Sequence, residues 1–144
     1  MTSRATRRRV LVDTSVWIAY FRDPTEPVGD RLESLMDAHE AFVAGPIVYE
    51  VLQGTRTPKD FGTLRDLLGG LPFLPTYGAT WIGTAGLAAG LRRRGLTFPM
   101  TDLLLATLAR DNQCSIWSLD PHFGSIPGLR LFHPPPRKPR RHPA

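Results

Sequence analysis

Short β-branched clusters alternate along this chain with stripes of helical spacing. Arg9-Val10-Leu11-Val12 runs directly into the helix-starting residues Asp13, Thr14 and Ser15, which predicts a buried strand handing over to a helix. That helix continues apolar over 16–21 and closes at Arg22-Asp23-Pro24. Between 28 and 38, Val28, Leu32, Leu35 and Met36 are separated by charges, the pattern of an amphipathic helix. Ala41-Phe42-Val43-Ala44 predicts a second short strand, and Pro46 suits the first turn of a helix carrying Ile47, Val48, Val51 and Leu52 up to Gly54.

The second half repeats the alternation without repeating the sequence. A helix over 58–68 stops at Gly69-Gly70, and Phe73-Leu74-Pro75 fits only a sheet edge because proline lacks the donor a central strand needs. Residues 80–94 predict a helix whose Gly83, Gly86 and Gly90 are spaced for close packing on a neighbour, ended by Gly95. The stretch 101–111 is apolar on nearly every side, so its helix should be deeply buried. Strands are expected at 115–119 and 129–132. Helices alternating with strands that lack polar alternation predict a three-layer α/β/α sandwich around a mostly parallel sheet.

Composition narrows this little. A chain of 144 residues allows one domain, and 42% hydrophobic with 22% charged residues excludes wholesale disorder. The single cysteine, Cys114, precludes an intramolecular disulfide and reads as a small buried apolar residue before a strand. No apolar run reaches the ~18 residues of a membrane helix. Arg7–Arg9 ahead of an apolar stretch has the outline of a leader, but Asp13 interrupts the stretch and no small-residue cleavage site follows. A cytoplasmic protein is expected.

Charge changes the picture more. The excess of 18 Lys+Arg over 13 Asp+Glu gives +5, which by itself points to nucleic acid. Eight of the bases, however, lie at the ends: Arg4, Arg7, Arg8 and Arg9, then Arg137, Lys138, Arg140 and Arg141. Without them ten bases face thirteen acids, so the stretch 10–132 is net −3. The division is a basic arm over 1–9, one domain over 10–132, and a Pro/Arg-rich tail over 133–144 that is expected to be disordered. The ends serve either as solubilising tails or as arms adding RNA affinity that falls with salt.

Four acids share one kind of place. Asp13 ends the first strand, Glu50 lies one turn into the helix after the second, Asp102 opens the buried helix, and Asp120 ends the strand over 115–119. In a parallel α/β sheet the strand C-termini gather at one edge, where ligands bind. Carboxylates converging there repel one another unless a cation intervenes, and an all-oxygen donor set suits Mg²⁺ or Mn²⁺. Phosphoryl transfer is the chemistry that uses such a site. Each acid also has a local explanation: Asp13 and Asp102 as helix caps, Asp120 before Pro121 as a turn residue, Glu50 as an exposed helical glutamate. It is their shared position that favours a site.

These residues carry a family resemblance. Leu11-Val12-Asp13-Thr14-Ser15-Val16-Trp17-Ile18 resembles the opening of PIN-domain nucleases, particularly the toxin ribonucleases called VapC. Pro46-Ile47-Val48-Tyr49-Glu50-Val51-Leu52-Gln53-Gly54 is similar to the second motif of that family. Thr101-Asp102-Leu103-Leu104-Leu105-Ala106-Thr107-Leu108-Ala109 is similar to the third, and Trp117-Ser118-Leu119-Asp120-Pro121-His122-Phe123 to the last. The motifs keep their order from Val10 to Phe132. The resemblance implies a PIN-like fold and an endoribonuclease dependent on Mg²⁺ or Mn²⁺. Asp13, Glu50, Asp102 and Asp120 would form its acidic pocket, with Asp13, Asp102 and Asp120 on the metal and the hydroxyl of Thr14 or Ser15 ordering a water there. It also implies RNA as substrate, a cognate antitoxin and a homodimer. Many relatives carry a further acid where this chain has His122, which is either an exposed loop residue or a contact to RNA or metal.

Arg92-Arg93-Arg94 ends a predicted helix, where positive charge complements the helix dipole; a phosphate contact is the competing role. Trp17, Tyr20 and Phe21 on the first helix suit core packing or a subunit interface better than base stacking. Two other acid-and-Mg²⁺ classes are disfavoured. A phosphoacceptor receiver needs a lysine near its last strand, and the only lysines are Lys59 and Lys138; a dehalogenase-type phosphatase needs a second aspartate where Ser15 stands. The expectation is therefore an endoribonuclease toxin leaving 5′-phosphate and 3′-hydroxyl ends. The alternative is a PIN-like RNA- or antitoxin-binding module that has lost catalysis, whose signature would be a missing acid.

Overall fold

A computed structural model describes residues 7–135. The chain runs β1 (Val10–Val12), α1 (Thr14–Arg22), α2 (Pro27–Asp37), β2 (Ala41–Ala44), α3 (Gly45–Gln53), α4 (Pro58–Gly69), β3 (Phe73–Leu74), α5 (Gly78–Arg93), α6 (Met100–Asp111) and β4 (Ser115–Trp117), followed by a 3₁₀ turn at Pro121–Ser125. The sheet order is β3-β2-β1-β4, with every pair parallel. β3 is an edge strand, as its prolines require.

That order fixes the layers. The steps from β1 to β2 to β3 go one way across the sheet, and right-handed crossovers put α1–α4 on one face. The return from β3 past β1 to β4 puts α5 and α6 on the other. Packing agrees: α1 contacts α2 and α3, α3 contacts α4, and α5 contacts α6. The result is a three-layer α/β/α sandwich whose winding reverses at β1, between β2 and β4.

The core is the sheet and the helix stripes that cover it. All of β1 is buried, and Trp17, Leu32, Ile47, Leu108, Ile116 and Trp117 are fully enclosed. Each such side chain contributes about 1.5–3 kcal/mol of transfer free energy. Every residue from Leu103 to Ala109 is buried, as the all-round apolar pattern of α6 predicts. Cys114 is buried too, and burial pushes its thiol up, while Arg9 and Arg130 pull the other way. Trp17, wholly buried, packs edge-on to Tyr20 and stacked with Phe21, both of which stay half-buried against the core.

Three expectations change. The strand expected over 115–119 stops at Trp117, because the next backbone N–H groups, of Leu119 and Asp120, bond to serine hydroxyls instead of a neighbouring strand. The strand expected over 129–132 is reduced to one bridge, Ile116 with Leu131. Of Gly83, Gly86 and Gly90 in α5, only Gly83 makes a close approach: a Cβ there would sit 3.4 Å from Thr107 Cγ2, whereas Gly86 and Gly90 face open space. The distal parts of the basic arm and the Pro/Arg-rich tail, including Arg4, Arg137, Lys138, Arg140 and Arg141, lie outside the described residues. No helix among the described residues is long and apolar enough to cross a membrane.

Candidate active site at the carboxyl ends of the strands

Asp13 follows β1 at the point where the winding reverses, the position at which open α/β sheets hold ligands. It occupies the N-cap position of α1, yet its side chain caps nothing. Its Oδ2 instead accepts two hydroxyl protons, from Ser15 (2.9 Å) and from Ser118 (2.8 Å). The two serine oxygens lie 3.3 Å apart. Each spends its single proton on Asp13 and accepts a backbone N–H, Ser15 from Leu119 and Ser118 from Asp120, both at 3.0 Å. Together with the Asp13 N–H donating to the Trp117 carbonyl (2.9 Å), these bonds tie the end of β1 to the segment leaving β4.

Asp120 keeps its local task. Its Oδ1 accepts from the His122 N–H (3.1 Å) and closes the 3₁₀ turn, with the His122 ring Nδ1 against the same oxygen. Asp102 sits in the first turn of α6 and caps nothing, since the N-cap residue is Pro99. Glu50 projects from the middle of α3, half-buried on the rim of a cavity of about 840 Å³ walled by Ile18 and Phe21 of α1 and Leu64 of α4. The cap explanation thus fails for Asp13 and Asp102, and the turn explanation holds for one oxygen of Asp120.

Electrostatics bring the four acids together. Burial raises the Asp102 carboxyl first, and the charges of Asp13, Asp120 and Glu50 raise it further; His122 pulls it down. One half-buried carboxylate therefore feels all three of the others. Among the described residues, no three His, Cys, Asp or Glu side chains are gathered into a ready-made metal cage. What links the four carboxylates is charge, and it is felt at Asp102. A hard divalent cation would relieve that repulsion, and carboxylate oxygens are the donors such a cation takes.

The other candidate residues are placed less centrally. Ser15 enters the network around Asp13, while Thr14 Oγ1 is buried without a hydrogen-bond partner. Arg92 and Arg93 close α5 and Arg94 follows; all are exposed, and none is among the charges that act on Asp102. Ser118 is the residue that sequence reasoning misses. Its only signal is a hydroxyl two residues before Asp120, and its role becomes visible only once β4 lies beside β1.

The chain can be compared with known proteins on this basis. The family model described as PIN domain matches residues 10–129. A VapC ribonuclease of Mycobacterium bovis is 32% identical over 121 residues, which cover 81% of this chain and 90% of that protein. Ribonuclease VapC11 of Mycobacterium tuberculosis matches to the same extent. Among solved structures, DNA-bound VapBC from Salmonella typhimurium superposes with a TM-score of 0.75 at 18% identity, covering 87% of this chain and 97% of the other. VapBC2 from Rickettsia felis, bound to a promoter DNA fragment, gives 0.73 at 18% identity over 85% and 96%. The sarcin-ricin loop cleaving toxin VapC20 of Mycobacterium tuberculosis gives 0.62 at 14% identity over 87% and 99%.

Proposed function

The chain belongs to the PIN domain family, and from that premise we propose that it is an endoribonuclease, the toxin of a toxin–antitoxin pair, working at the edge formed by Asp13, Glu50, Asp102 and Asp120. The observation that carries this reading is Asp102, whose carboxyl is raised by burial and by three other carboxylates. A binding module that had lost catalysis would have no use for that repulsion, and none of the four acids is missing.

Asp13, Asp102 and Asp120 would hold Mg²⁺ or Mn²⁺. When bound, the cation supplies a Lewis acid that activates water and offsets charge on the phosphate. The chain's own residues do the positioning. Ser15 and Ser118 fix the carboxylate of Asp13 from two sides, so it meets its partners in one rotamer. Glu50, the acid left out of the metal set, would take the proton of the attacking water. Attack in line breaks the bond between phosphorus and O3′, leaving a 5′-phosphate and a 3′-hydroxyl. Thr14 contributes through packing, with Ser15 as the hydroxyl at the site.

The partners follow from the same reading. The substrate is RNA, and an antitoxin encoded alongside covers the toxin, as toxin and antitoxin are paired in the VapBC structures that share this fold. Self-association as a homodimer is part of the proposal, and sedimentation of the purified chain tests it. The central test is cleavage of total RNA with Mg²⁺ or Mn²⁺ against EDTA, by wild type, Asp13→Asn and Asp102→Asn. Metal-dependent cleavage by the wild type alone is expected. Equal cleavage by all three defeats the site, and 2′,3′-cyclic phosphate products defeat the mechanism.

A further inference from the structure

The opposite end of the sheet has its own arrangement of charge. β1 and β4 begin side by side, and where they begin a cavity of about 690 Å³ is lined by Arg7, Arg8, Arg9, Gln113, Ser115 and Arg130. Arg130 arrives from the far end of the sequence: the Ile116 N–H donates to its carbonyl (2.9 Å), which lays the last segment alongside β4. Four exposed arginines therefore line one concavity. None of them is in an ion pair or a side-chain hydrogen bond among the described residues. Glu40 lies nearby, but its Oε2 accepts from the backbone N–H of Arg8. Arg9 is braced from outside, its guanidinium 4.9 Å from the centre of the Phe42 ring. The Cys114 thiol at the same end also feels the positive charges of Arg9 and Arg130.

Like charges gathered at one exposed hollow, with only the Glu40 carboxylate beside them, make a positive patch that attracts an anion. Guanidinium groups present forked donors that match phosphate oxygens. We propose that this cavity is a second RNA-binding site, which grips a backbone phosphate of the substrate at the end of the sheet remote from the carboxylates. Arg9 and Asp13 flank the three residues of β1 and stand about 13 Å apart along the strand. No single nucleotide bridges the two ends; a folded RNA of several nucleotides reaches around the rim. RNA as the occupant rests on the nuclease reading, whereas the phosphate chemistry rests on the arginines alone.

The test compares the full chain with a variant carrying Arg7→Gln, Arg8→Gln, Arg9→Gln and Arg130→Gln. Both are placed on an Asp102→Asn background, so that a labelled stem–loop RNA survives the titration. Because Arg9 braces Phe42, a second variant keeps Arg9 and changes the other three, and thermal unfolding confirms that each is folded. The expected result is affinity about tenfold or more weaker at ~0.1 M salt, with the slope of log K against log salt shallower by about 0.7 for each phosphate no longer gripped. With Asp102 restored, the arginine variants should lose kcat/KM on the stem–loop and keep it on a tetranucleotide that reaches only the carboxylate end. Unchanged affinity and slope in folded variants overturn the proposal, as does displacement of RNA by polyglutamate as readily as by polyuridylate. Lower thermal stability with RNA binding intact also overturns it, leaving the arginines a purely structural role. If the wild type binds through the arginines yet cleaves no RNA, the nuclease reading fails and this inference stands.

Discussion

At the carboxyl ends of β1 and β4, like charges are brought together and restrained by short polar bonds; at the amino ends, like charges are brought together and left without partners among the described residues. Asp13 is held by two serine hydroxyls, each in turn held by a backbone N–H. The guanidinium groups of Arg7, Arg8 and Arg130 have no such support there, and only Arg9 leans on a ring. The difference matches what each end has to do. Phosphoryl transfer needs donors fixed to fractions of an ångström, whereas gripping a polyanion needs charge and tolerates movement. The parallel sheet keeps the two apart, so neither set of charges neutralises the other.

The largest effect that would break this contrast is loss of a carboxylate. Asp102→Asn should lower cleavage on the order of 10²-fold or more while RNA affinity holds or rises, since the change removes negative charge beside the phosphate. Retained cleavage in an RNA digest would mean that the carboxylate end is not the reactive one. Ser118→Ala comes next. It frees one side of Asp13 and leaves the Asp120 N–H without its acceptor, so we expect about tenfold slower cleavage and roughly 1 kcal/mol less stability. Wild-type kinetics and melting for that variant would show that the serine bridge does not position Asp13.

The pH dependence is smaller and has a definite sign. The Asp102 carboxyl is raised above the ordinary 3.8 by burial and its acidic neighbours, so the folded chain holds a proton that the unfolded chain has released. Its stability contribution therefore falls as pH rises from the ordinary carboxylate value to the raised one, and is constant above. In EDTA, Asp102→Asn should melt above wild type at pH 7, with the gap closing as pH drops through the acid range. A gap that stays constant with pH would remove Asp102 from the repulsive cluster.

The smallest effect concerns how the amino end is built. α2 and α6 both turn into their strands through a left-handed residue that is not glycine, His39 (φ 56°) and Gln113 (φ 52°), closed by bonds from Glu40 to Leu35 and from Cys114 to Ala109. His39→Gly should relieve that strain and stabilise the fold by about 0.5–1 kcal/mol, readable as a higher denaturation midpoint. A lower midpoint would mean that the His39 side chain has a task that outweighs its backbone.

Much of the molecule is legible without coordinates because its signals are local. The β-branched run before Asp13, the prolines around Phe73 and the all-round apolar face of α6 each report their own environment within a few residues. The acids are legible for the same reason: strand and helix periods say where an element ends, and in a parallel sheet every strand ends at one edge. Signals that depend on a distant partner are weaker. Residues 129–132 have a strand's composition, but pair with β4 through a single bridge. Gly86 and Gly90 share the spacing of Gly83 without its neighbour.

The sequence by itself thus determined most of the order of elements and singled out four carboxylates as candidates for one edge. Tertiary structure decided what each charge meets. It set Ser118 against Asp13 across about a hundred residues and withdrew Asp13 and Asp102 from capping. It left Arg92–Arg94 apart from the charges on Asp102 and carried Arg130 back to Arg7, Arg8 and Arg9. Periodicity encodes which way a side chain faces. Pairing between remote segments depends on how strands are laid side by side, which no local window contains.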